Sequence, residues 1–91
     1  MGAVAMLTAR RGDEASPEIE SWANEIAKRI DPAVGVTVEF DADSRTFIVR
    51  LVKASRVLIF RFSESQVHTD GRESECERTV NRKIKDLWNL I

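Results

Sequence analysis

The chain predicts an α+β domain of two layers, α-β-β-β-α, in which a three-stranded antiparallel meander carries two helices on one face. Three patterns lead there. Apolar residues recur at helical spacing from Ile19 to Ile30, alternate with polar ones at a period of two from Val36 to Phe62, and return to helical spacing from Cys76 to Ile91. Both helical stripes need apolar surface to cover, and only one face of the meander is apolar along its whole length.

The first helix is expected to open at Ser16-Pro17, with serine capping the free amides and proline fitting the first turn. Ile19, Trp22, Ala23, Ile26, Ala27 and Ile30 form its stripe. Glu18, Glu20 and Glu25 favour its positive end, and Lys28 and Arg29 its negative end. Asp31-Pro32 stops it, because the residue before a proline is pushed out of the helical region.

Along the strands, Val36, Val38 and Phe40 share one side, and Thr37, Glu39 and Asp41 the other. A reversal at Asp43-Ser44 sets Phe40 opposite Phe47, Val38 opposite Val49 and Val36 opposite Leu51. A second at Ala54-Ser55 sets Leu51 opposite Leu58, Val49 opposite Phe60 and Phe47 opposite Phe62. A slip of one residue in either hairpin would mix these side chains with Glu39, Arg50 or Arg61, which favours this register. The loops themselves lack the Asn-Gly or Gly-Gly of short hairpins.

Glu64 to Thr69 reads as a polar link, and Asp70 to Glu73 as a capping box opening the last helix. That helix carries Cys76, Val80, Ile84, Leu87, Trp88 and Ile91 on one side. The expected core is Trp22, Ile26, Ile30, Val38, Phe40, Phe47, Val49, Leu51, Leu58, Phe60, Phe62, Val80, Ile84 and Trp88.

At 91 residues, with a net charge of -1 and 43% hydrophobic residues, the chain fits one globular domain. Residues 1–15 read as a flexible tail, in which Val4, Met6 and Leu7 are candidates to pack on a neighbouring subunit, and residues 16–91 as the domain. A core this small often draws further burial from a subunit interface. The apolar start, Met1 to Leu7, has no preceding basic residue and is short for a secretory leader. No apolar run approaches the roughly 18 residues of a membrane span. Cys76 is the single cysteine, so no intrachain disulfide or cysteine-based zinc cluster can form, and the cytoplasm is the expected setting.

The second sheet face is half apolar. It should carry Thr37, Glu39 and Asp41, then Ile48, Arg50 and Val52, then Val57, Ile59 and Arg61, with Glu39 near enough to pair with Arg50. Isolated β-branched residues often sit on exposed strands because they suit the pleat. An adjoining aliphatic cluster with a charged border is less usual and marks Ile48, Arg50, Val52, Val57, Ile59 and Arg61 as the candidate partner-binding residues. The expected partner is a second copy or another protein. Assembly can use this face or, alternatively, an edge strand.

The signals for catalysis are sparse. His68 stands alone near Asp70, and Cys76 falls in an apolar stripe, so neither is expected to act as a catalytic residue. No metal-ligand spacing or glycine-rich phosphate loop is present, and no cofactor is expected. The order of elements resembles that of double-stranded-RNA-binding domains, which implies nucleic acid as the alternative partner. Such domains are expected to place basic residues near the start of the last helix, where this chain has Arg72, Glu73, Ser74, Glu75, Cys76 and Glu77. Arg78, Arg82 and Lys85 farther along are therefore the alternative nucleic-acid-binding residues.

Overall fold

A computed structural model describes residues 10–69 and 72–90. The alternation in the middle of the chain builds β1 (Gly35–Asp41), β2 (Thr46–Lys53) and β3 (Arg56–Ser63), joined in the antiparallel order β1-β2-β3. Phe40 faces Phe47, Val38 faces Val49 and Val36 faces Leu51. Leu51 faces Leu58, Val49 faces Phe60 and Phe47 faces Phe62. Every pair expected from the alternation is therefore formed. Burial of the apolar face outweighs the turns, which place Arg45 at φ 56° and Ala54 at φ 55°. A side chain in that left-handed region costs about 1 to 2 kcal/mol, and neither turn has a glycine to avoid it.

The helices are α1 (Ser16–Ile30), α2 (Glu64–His68) and α3 (Glu73–Trp88). α1 and α3 lie against the same sheet face, and their stripes meet the sheet in one core. Ile19, Ala23, Ile26 and Ala27 of α1 and Cys76, Val80, Ile84 and Leu87 of α3 are buried with Phe47, Val49, Leu51 and Phe62. Each fully buried large aliphatic or phenyl side chain contributes roughly 1.5 to 3 kcal/mol. Trp22, Ile30, Phe40 and Leu58 pack around this centre and are half-buried. The slab measures 38 × 33 × 17 Å, and among the described residues the helices cover the sheet on one side only.

Several local expectations are corrected. Ser16 does not cap α1: Ala15 occupies the cap position, and the Ser16 hydroxyl is buried without a hydrogen-bond partner among the described residues. Within the segment read as tail, Gly12–Ala15 wind into a 3-10 turn and Ala15 is fully buried; Val4, Met6 and Leu7 lie outside the described residues. The polar link is α2. Ser63 Oγ accepts from Gln66 N at 3.1 Å and Gln66 Oε1 accepts from Ser63 N at 2.9 Å, a complete capping box. Val67 then closes one end of the core, fully buried. The box expected at Asp70 falls partly outside the described residues, and Arg72 stands at the N-cap of α3 with no side-chain cap hydrogen bond. Trp88 was expected in the core but is 37% exposed.

The reason for the placement of Trp88 is its indole N–H, which a dry core would strand. It donates to Asp31 Oδ2 at 2.9 Å, and Lys53 Nζ donates to the same oxygen at 2.6 Å. Ala33 N donates to the other carboxylate oxygen at 3.0 Å. One carboxylate thus ties the end of α1 to β2 and to the end of α3. Placed at the negative end of α1, it depends on these donors for compensation. The Lys53 hydrogen bond foremost, then those from Ala33 and Trp88, lower its pKa from the ordinary 3.8. A carboxyl lowered in the folded state contributes stability above its unfolded value, and that contribution disappears as pH falls through the folded one. Urea midpoints measured from about pH 5 to 1 should fall less steeply for Asp31→Asn than for the natural chain. Parallel curves would contradict the role given to this carboxylate.

Candidate functional site

The strand register decides what the outer side of the sheet displays. Thr37, Glu39 and Asp41 stand beside Arg50, Ile48 and Thr46, and these beside Ile59, Arg61 and Ser63. Val52 and Val57 complete the aliphatic patch at the other end. Ile48 and Val52 are half-buried by their neighbours, whereas Val57 is 40% and Ile59 58% exposed. A shallow depression of about 250 Å³ lies across the three strands, lined by Thr37, Val38, Glu39, Ile48, Arg50 and Ile59.

The two arginines of this face differ. Arg61 is fixed: Nη1 lies 3.1 Å from Asp41 Oδ2 and donates to Ser44 Oγ at 3.2 Å and Thr46 Oγ1 at 2.9 Å. The Ser44 hydrogen bond, then Arg61, lower the Asp41 pKa. Arg50 is exposed, and the expected pair with Glu39 does not form. Among the described residues neither Glu39 nor Arg50 has an ion pair, so the depression is bordered by one anion and one cation, both uncompensated.

The sheet borders also differ, which the sequence reading did not find. On β1, Asn24 of α1 donates from Nδ2 to Val36 O at 2.9 Å and accepts Val36 N–H on Oδ1 at 3.2 Å. Glu20 Oε1 accepts Val38 N–H at 2.9 Å. Polar side chains of α1 therefore occupy backbone groups that a further strand would need. Spacing four apart puts Glu20 and Asn24 on one helix side, the available signal, but glutamate and asparagine read equally well as solvent-facing.

The alternative basic residues lie elsewhere. Arg78, Arg82 and Lys85 are exposed on α3, on the far side from its buried stripe. Glu75 and Asp86 are exposed on the same helix, and Arg72 lies 3.9 Å from Glu75 at its start. The neighbouring Lys83 sits 6.0 Å from the centre of the Phe60 ring.

His68 is half-buried, and Cys76 lies in the apolar core. The His68 ring meets Phe47 edge-on with centroids 6.5 Å apart. Cys76 is 1% exposed. Burial first, and the negative charge of Glu75 second, push its thiol pKa up to about 11. Among the described residues no group of three or more His, Cys, Asp and Glu side chains is placed to hold a metal ion. No helix among them is long and apolar enough to cross a membrane.

The thiol should react with an aromatic disulfide reagent at pH 8 far more slowly in the folded chain than in urea, because the reactive thiolate is scarce and covered. Equal rates would contradict the buried placement of Cys76. No family model, curated protein or solved structure matches the chain, and the character of this face and its borders rests on their geometry.

Proposed function

We propose that this chain is a small non-catalytic protein-interaction or assembly domain. It docks a second copy of itself or another protein through the open sheet face, including the β3 border. Ile48, Arg50, Val52, Val57, Ile59 and Arg61 form the contact. The observation that carries this reading is the exposure of Ile59 and Val57 beside half-buried Ile48 and Val52. An apolar centre with a charged border is the recurrent build of a protein interface. The uncompensated Glu39 and Arg50 supply groups of both signs for orienting a partner. A free buried thiol suits a reducing, cytoplasmic setting.

Nucleic acid is the competing partner. Arg78, Arg82 and Lys85 form a basic ridge without ion pairs among the described residues, but a charged ridge is also the ordinary solvated side of an amphipathic helix. Backbone binding requires a concentrated positive footprint, and Glu73, Glu75 and Glu77 at the helix start oppose one.

Changing Ile48 and Ile59 together to aspartate should weaken association while preserving the far-ultraviolet circular dichroism, since both side chains point away from the core. Sedimentation over a concentration series checks self-association, and a pull-down with the same variant checks a protein partner. Undiminished association in both assays would contradict this reading. Salt-sensitive binding to duplex RNA, lost after alanine replacement of Arg78, Arg82 and Lys85, would favour the alternative.

A further inference from the structure

The hydrogen bonds between α1 and β1 determine where the sheet can grow. Residues of a central antiparallel strand direct their backbone groups alternately to the neighbours on its two sides. Val36 and Val38 point to α1, so Gly35, Thr37, Glu39 and Asp41 bond to β2 through Val52, Arg50, Ile48 and Thr46. The intervening residues Phe47, Val49, Leu51 and Lys53 then bond to Phe62, Phe60, Leu58 and Arg56 of β3. The N–H and C=O groups of Val57, Ile59 and Arg61 consequently point outward. Among the described residues no strand lies beyond β3 and no hydrogen bond reaches these groups.

Among the described residues this border has neither a proline nor a bulge to blunt it, and its pairing with β2 runs unbroken from Arg56 to Ser63. Its two arginines are engaged: Arg56 Nη1 donates to Trp88 O at 2.7 Å, and Arg61 is held by Asp41. Ile59, the most exposed large aliphatic residue among those described, lies at the centre of the outward-pointing set.

We infer that β3 pairs antiparallel with β3 of a second copy, joining the two sheets into one, while Glu20 and Asn24 close β1 and limit the assembly to a dimer. The occupant follows from complementarity. Each copy supplies outward donors and acceptors in the same alternation, and a two-fold axis at Ile59 sets Ile59 against its own image and Val57 against the image of Arg61. Apolar side chains then flank the axis on the outer face. On the helix side, Leu58 meets the image of Phe60. The two Arg61 side chains stand about 13 Å apart along the strands, beyond the screening length of about 10 Å at 0.1 M salt. Charge does not oppose self-pairing. A head-to-tail joint between β3 and β1 would leave borders open at both ends and grow without limit, and the α1 side chains occupy the acceptor border.

This inference rests on the assembly reading above and deepens it; sedimentation of the full chain and four variants separates the two. The natural chain should dimerise with rising concentration. Ile59→Pro should lose the dimer while keeping its circular dichroism, because the proline removes an outward N–H that the β2 ladder does not use. If proline unfolds the chain, Ile59→Lys should give a folded monomer. Thr37→Lys, in the depression on the outer face of β1, should remain dimeric. Glu20→Ala/Asn24→Ala should yield species larger than a dimer, and a persistent dimer would overturn the closing role of these side chains. Dissociation by Thr37→Lys but not by Ile59→Pro or Ile59→Lys would overturn edge pairing in favour of face stacking and leave the assembly reading standing. A natural chain monomeric at every concentration would overturn edge pairing and leave only a different protein as the partner.

Discussion

The carboxamide of Asn24 binds both backbone groups of Val36, at 2.9 and 3.2 Å, and so sets which residues of β1 turn outward. Glu20, one helical turn earlier, repeats the choice at Val38. The alternation of antiparallel ladders carries this phase through β2 to β3, fixing the orientation of every peptide group in the sheet. It agrees with the side-chain phase of β1, since Val36 and Val38 also place their side chains in the core. Backbone and side-chain demands thus select the same register, the kind of mutual consistency that separates one fold from its near competitors.

The register was legible in the sequence because an error would be expensive. A slip would carry Glu39, Arg50 or Arg61 into the position of Val38, Val49 or Phe60. Turn chemistry gave a weaker signal for a physical reason: Arg45 and Ala54 occupy conformations that glycine would favour, and packing overcomes that local cost. α2 escaped notice because its short sequence is mostly polar, and only Val67 inserts into the core. Its own capping box, Ser63 with Gln66, was the missed cue. The position of Trp88 required knowledge that Asp31, far away in sequence, would receive its indole N–H.

The candidate site was legible in part. Alternation assigned Ile48, Arg50, Val52, Val57, Ile59 and Arg61 to one face, and the strands place them there. Ion-pair choice lay beyond it: Asp41 holds Arg61 and leaves Glu39 and Arg50 uncompensated, an outcome set by the Asp41–Thr46 hairpin end with Ser44. The difference between sheet borders was also hidden, because it depends on how α1 lies along β1. A polar residue that seals a border and one that faces water look alike in a linear pattern.

A domain of this size, with one sheet face covered, gains burial by associating. In the proposed assembly, α1 side chains govern the number of available borders and β3 supplies the joint. Amide hydrogen exchange, followed residue by residue at low and high protein concentration, tests this division most directly. The account predicts that Val57, Ile59 and Arg61 gain protection as concentration rises, while Val36 and Val38 are protected throughout. Fast, concentration-independent exchange at all three β3 amides, under conditions where the chain is dimeric, would contradict it.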